Sequence, residues 1–95
     1  MKRVSVIGLG YVGLTFAVCL AYRGFGVLGV EADKGKLRMI TSESPPFYEE
    51  GLKDILREVI SSGHLKVTSD VGKAVEESDV TFICVGTPSK PDGSV

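Results

Sequence analysis

A doubly wound α/β fold, with helices on both faces of a parallel sheet, is what this chain predicts. Three observations carry that expectation. Short β-branched runs alternate with helix-forming segments along the 95 residues, which is the pattern of βαβ units. The first run, Val4-Ser5-Val6-Ile7, breaks into Gly8-x-Gly10-x-x-Gly13, a tight strand-to-helix turn. The second run, Val27-Leu28-Gly29-Val30, ends on an acid, Glu31, about 20 residues beyond the first glycine.

Each element follows from its own residues. Lys2 to Ile7 reads as the first strand, almost continuously apolar from Val4, as a central strand covered on both faces must be. Tyr11 to Arg23 reads as a helix, apolar nearly all round and so expected to be buried on more than one side. Gly24 stops it. A second strand runs from Gly26 to Val30, and Asp33 caps a short helix through Thr41 with Leu37 and Ile40 toward the sheet. Pro45 and Pro46 forbid helix over 42–47.

A helix is expected to resume near Glu49, placing Glu49 and Glu50 in its first turn and Leu52, Ile55, Leu56 and Val59 on one apolar face. Ser62-Gly63 ends it, and Leu65 to Thr68 forms a short third strand. Asp70 caps a last short helix carrying Val71, Ala74 and Val75, and Val80 to Val85 is the fourth strand. Right-handed crossovers then give the order 3-2-1-4, with the direction of winding reversing between strands 1 and 4. Ligands bind at such a switch point, at the carboxyl ends of the strands. Gly8 to Gly13, Glu31 and Val85 to Pro88 converge there.

Composition narrows the classes of function. The chain is 43% hydrophobic with net charge −1, its 11 basic residues scattered among 12 acids, so it lacks the basic patch of a nucleic-acid binder. Val4 to Tyr22 is free of charge, but three glycines and Tyr11 interrupt it at barely membrane-spanning length. A strand and a buried helix explain it better than a leader or anchor, which makes the cytoplasm the expected compartment. Cys19 and Cys84 form no CxxC pair and have no acid or histidine at metal-ligand spacing; both are expected to be small buried hydrophobes. His64 is expected to be a solvated loop residue. No metal site is expected.

The glycine turn has a chemical reading. Gly8 permits the turn, Gly10 lets backbone approach phosphates, and Gly13 lets the helix pack closely on the strand. The helix end then offers unpaired N–H groups and a partial positive charge to a pyrophosphate. A carboxylate at a strand end is often merely solvated, but Glu31 stands where it can accept hydrogen bonds from both adenosine ribose hydroxyls. It would repel a 2′-phosphate, which favours NAD over NADP, although Lys34 and Lys36 follow closely. Four strands are fewer than the usual six or so of a complete Rossmann domain, so residues 1–95 are expected to be the N-terminal portion of one.

Gly8-Leu9-Gly10-Tyr11-Val12-Gly13-Leu14, Gly29-Val30-Glu31-Ala32-Asp33 with Lys36, Ser44-Pro45-x-x-Tyr48-Glu49-x-Gly51-Leu52, and Val85-Gly86-Thr87-Pro88 with Asp92-Gly93-Ser94 together resemble the N-terminal domain of the UDP-glucose/GDP-mannose dehydrogenases. The resemblance runs over essentially the whole chain. It implies oxidation of the 6-hydroxyl of a nucleotide sugar to a carboxylate with two NAD molecules in succession. It also implies that Leu9, Tyr11 and Val12 join the three glycines in the phosphate-binding turn, that Glu31 and Lys36 lie at the ribose edge, and that Thr87 contacts the cofactor. Two positions depart from the family pattern: Glu31 stands where Asp is usual, and Glu50 where proline is usual.

The family's nucleophilic cysteine, with its lysine and asparagine, belongs to regions beyond Val95, so this chain alone is expected to bind NAD and not to turn over. The resemblance further implies a homo-oligomer at full length, while the charge balance and the interrupted apolar stretch lead to the expectation of no nucleic-acid partner and no membrane partner. A related dehydrogenase of the 6-phosphogluconate or 3-hydroxyacyl-CoA type, and a non-catalytic NAD-sensing module, remain the alternatives. The Ser-Pro-x-x-Tyr-Glu segment speaks against the first of these. The identity of the sugar nucleotide lies outside what these residues encode.

Overall fold

Val4, Val6 and Val27 are β-branched and need cover from water on at least one face. The computed structural model, which describes residues 2–84, places them in a four-stranded parallel sheet. The elements are β1 (Arg3–Ile7), α1 (Tyr11–Tyr22), β2 (Gly26–Val30), α2 (Lys34–Thr41), α3 (Leu52–Ser62), β3 (Leu65–Thr68), α4 (Val71–Glu76) and β4 (Val80–Ile83). The strand order is β3-β2-β1-β4, as expected from the sequence. Ile7 is in register with Val30 on one side and Ile83 on the other, so the strands around the switch point end level.

The β1–β2 and β2–β3 crossovers run in one direction and β3–β4 runs back, so right-handed connections put α1 and α3 on one face and α4 on the other. The core lies on the α1/α3 side: Val4, Val6, Leu14, Val18, Ile40, Leu56 and Leu65 are almost wholly removed from water. Each such side chain contributes roughly 1.5–3 kcal/mol of transfer free energy. On the other face Ser5 is fully buried, and its hydroxyl is 2.8 Å from that of Thr81 on β4, which satisfies both. Asp33 and Asp70 cap α2 and α4 as read from the sequence. The Asp33 carboxylate accepts from the Gly35 and Lys36 N–H groups, and Asp70 accepts from that of Lys73.

Several expectations are corrected. α1 is buried along a single stripe, Gly13, Leu14, Ala17, Val18 and Ala21, while Val12, Cys19 and Tyr22 are exposed. One helix can lay only one side on the sheet, and among the described helices α3 is the one packed closely beside it, so apolar composition overstated its burial. Cys19 is therefore no core residue, and Cys84 is half-buried just past β4. α3 starts at Leu52 rather than near Glu49, because Gly51 adopts a left-handed conformation before it; Asp54, not Glu49 or Glu50, lies in its first turn. α4 buries Ala74 alone, leaving Val71 and Val75 each 46% exposed. His64 is half-buried and has a partner, its Nδ1 lying 2.7 Å from the Ser62 hydroxyl. β4 ends at Ile83, and Val85 lies outside the described residues.

The contact between α1 and the turn below it admits no side chain. A Cβ at Gly13 would sit 1.8 Å from the Gly8 carbonyl oxygen and 3.2 Å from Cys84 Cβ. Alanine raises helix propensity by about 1 kcal/mol over glycine, but a backbone carbonyl cannot step aside as a side chain can. Gly13→Ala is expected to destabilise the fold by about 2 kcal/mol or more, read as a lower urea midpoint.

Candidate functional site

The site begins where β1 runs out. The Gly8 N–H donates to the Val30 carbonyl at 2.9 Å and the Cys84 N–H donates to that of Ile7 at 2.7 Å, so the turn is pinned to both neighbouring strand ends. Gly8 has φ 94°, a region costly for any residue with a Cβ. Leu9 then plunges into the core with no exposure, against the face of β2. Gly29 makes that possible: a Cβ there would lie 2.8 Å from Leu9 Cδ1. The role of Gly29 escaped the reading of the sequence, although a glycine inside a strand does signal close approach.

Gly10 is the N-cap of α1 and has no capping side chain. The N–H groups of Tyr11, Val12 and Gly13 are those that a first helical turn leaves free, and they take no partner among the described residues. Among the described residues, a Cβ on Gly10 would meet nothing within 4 Å. The packing of the described residues therefore gives no reason for a bare residue here, whereas an anion approaching the helix end would.

Glu31 follows β2 and is almost fully buried, 9% exposed. Its Oε1 accepts from the Leu9 N–H at 3.1 Å and its Oε2 from the Asp33 N–H at 2.9 Å. The carboxylate thus joins the glycine turn to the β2–α2 loop. An ionised carboxylate has about four acceptor positions, and two of them take no partner among the described residues. Leu9 supplies an anchor and no free donor, since its N–H is committed to Glu31. Lys36 is exposed on α2, its N–H held by Asp33, and its side chain forms no ion pair among the described residues. Val12 is 68% exposed beside the turn. Thr87 lies outside the described residues.

Tyr11 brings in a segment that the sequence left unconnected to the turn. Its hydroxyl donates to Glu49 Oε2 at 2.6 Å, and its ring lies 5.0 Å from that of Phe47, tilted by 47°. That hydrogen bond, and then the carboxylate's charge, hold the phenol pKa above its ordinary value. A separate cavity of about 210 Å³ lies at the amino ends of the strands, where Arg3 pairs with Glu77 at 3.8 Å. It is at the far end of the sheet from the glycine turn, where helices end rather than begin, and it carries none of this chemistry.

The fold has counterparts. Residues 2–95 match the UDP-glucose/GDP-mannose dehydrogenase family, NAD binding domain. The chain belongs to that family. It is 46% identical over 93 residues to the GDP-mannose 6-dehydrogenase of Pseudomonas aeruginosa, a match covering 98% of this chain and 21% of that protein. The crystal structure of a ternary complex of GDP-mannose dehydrogenase from that organism superposes with a TM-score of 0.90 at 47% identity, over 97% of this chain and 21% of that one. A UDP-glucose dehydrogenase from Pyrobaculum islandicum gives a TM-score of 0.90 at 41% identity, over 99% and 22% respectively. The chain thus spans about a fifth of the length of these dehydrogenases.

Two outcomes follow for this dehydrogenase-family domain. Glu31→Ala strands two backbone donors and is expected to lower stability by about 1–3 kcal/mol, measured by chemical denaturation. The raised phenol pKa means that the Tyr11–Glu49 bond is intact below the unfolded value near 10 and is lost as pH climbs through the higher folded value. In an ultraviolet ionisation curve, Glu49→Gln is expected to bring the Tyr11 step to lower pH, and Tyr11→Phe to remove it.

Proposed function

We propose that this chain is the N-terminal portion of the NAD-binding domain of a nucleotide-sugar 6-dehydrogenase. The enzyme oxidises the 6-hydroxyl of a UDP- or GDP-sugar to a carboxylate with two NAD molecules in succession. The observation that carries the cofactor half is the open flank at Gly10, beside helix N–H groups that take no partner among the described residues. In this reading Gly8, Gly10 and Gly13 shape the pyrophosphate turn, and the N–H groups of Tyr11, Val12 and Gly13 bind it. Glu31 accepts from the adenosine ribose hydroxyls, with Lys36 at the same edge and Thr87 beyond the fourth strand. Leu9 keeps the turn in place from the core. NAD supplies the hydride acceptor.

The sugar-oxidising half rests on family membership, together with the likeness to GDP-mannose 6-dehydrogenase. The catalytic cysteine, lysine and asparagine and the substrate domain lie beyond Val95 in this proposal. The exposed apolar residues Val80, Phe82 and Ile83 of β4 support a sheet that continues past this strand. The full-length enzyme is a homo-oligomer of the cytoplasm in the same reading. Among the described residues no helix is long and apolar enough to cross a membrane.

The test is NAD reduction by the full-length polypeptide with UDP-glucose or GDP-mannose, followed by absorbance, alongside direct NAD binding. Gly10→Val is expected to weaken NAD binding by about 100-fold, near 2.7 kcal/mol, with helix content unchanged. Unchanged affinity would remove the pyrophosphate from this turn. Residues 1–95 alone are expected to show no sugar oxidation; measurable turnover would place the catalytic group within them.

A further inference from the structure

Between α2 and α3 the chain forms a strap, residues 43–51, with left-handed backbone at both ends: Glu43 has φ 64° and Gly51 has φ 81°. Glu43 is the one described non-glycine residue in that region, and its side chain is tied to α3. Its Oε2 accepts from the Ser61 hydroxyl at 3.2 Å, and its Oε1 lies 3.8 Å from Arg57 Nε. The middle of the strap is tied elsewhere, to the first residue of α1, through the Phe47 ring and the Glu49 carboxylate. Helical side chains lean toward the helix N-terminus, so the Tyr11 phenol projects toward the end that faces the dinucleotide. Tyr48 and Glu50 beside this latch are exposed, and a shallow cavity of about 380 Å³ runs along the segment from Ser44 to Lys53.

We propose that residues 43–51 form a movable wall of the dinucleotide cleft, latched to the phosphate turn by the Tyr11–Glu49 hydrogen bond, so that cofactor occupancy and order in the strap are coupled. This rests on the reading that the Gly8–Gly13 turn holds NAD. Tyr11 then has two separate duties. Its N–H faces the phosphates, and its side chain acts as a positioning group through Glu49. Latching the strap in advance removes part of the ordering cost that binding would otherwise meet. Coupling of this kind is reciprocal: if the latch strengthens NAD binding, NAD must strengthen the latch.

The experiment combines NAD affinity with hydrogen exchange of residues 43–51 in the full-length protein. In the wild type NAD is expected to slow exchange from Phe47 to Gly51. Tyr11→Phe keeps a ring against Phe47 but cannot donate; it is expected to weaken NAD binding about five-fold and to abolish that slowing. Glu49→Ala is expected to match it, the double variant to be no weaker than either single one, and Glu49→Gln, which still accepts the phenol proton, to behave as wild type. NAD binding that leaves strap exchange unchanged, or independent effects of the two substitutions, would overturn the latch alone. A wild type that does not bind NAD would overturn the dinucleotide reading and the latch together.

Discussion

The rest of the site depends on how closely α1 comes down on the turn that follows β1. Gly13 lies so near the Gly8 carbonyl that a single methyl group would occupy the same space. That approach aims the helix N-terminus past the end of the sheet, with its free N–H groups turned toward the cleft. It also leaves Leu9 nowhere to go but inward, over the bare backbone of Gly29. Two close contacts without side chains, at Gly13 and at Gly29, convert a glycine-rich loop into a fixed turn. Gly10 differs from both, since among the described residues a Cβ there would meet nothing within 4 Å.

Glu31 supplies the electrostatic counterpart of this steric arrangement. A buried carboxylate is costly unless its oxygens are bonded, and here two backbone N–H groups from different loops meet it. One loop leads from β1 to α1 and the other from β2 to α2, so the acid clamps together the segments that flank the cleft. Glutamate is one methylene longer than the aspartate usual at this position of the family, and that length suits a side chain reaching back to Leu9 while still holding Asp33. Both oxygens are engaged in joining these two loops. A substitution there loosens both loops at once.

Tyr11 extends the clamp to a third segment. The strap between α2 and α3 would be an ordinary Pro-containing connection if it touched only its neighbours in sequence. Its contacts with the first residue of α1 bring it to the mouth of the cleft. The departure of Glu49 from α3 belongs to the same arrangement: a residue wound into the first turn of that helix would have to give up the position in which it meets the phenol.

Much of this was legible in the chain by itself. Alternating β-branched runs and helix formers, the spacing of three glycines, an acid at the end of the second run and two capping aspartates all act locally. They determine strand order, helix caps and the location of the cleft. Burial and partnership were decided elsewhere. Composition could not say which side of α1 faces the sheet, so Cys19 lies in water despite its apolar neighbours. Sequence spacing could not bring Tyr11 to Glu49, or Leu9 to Gly29, because those pairs are made only when helices and strands distant along the chain pack together. Local chemistry settled what each segment is, and tertiary packing settled what each side chain meets, because burial and hydrogen bonding across elements depend on distances in space that no local pattern encodes.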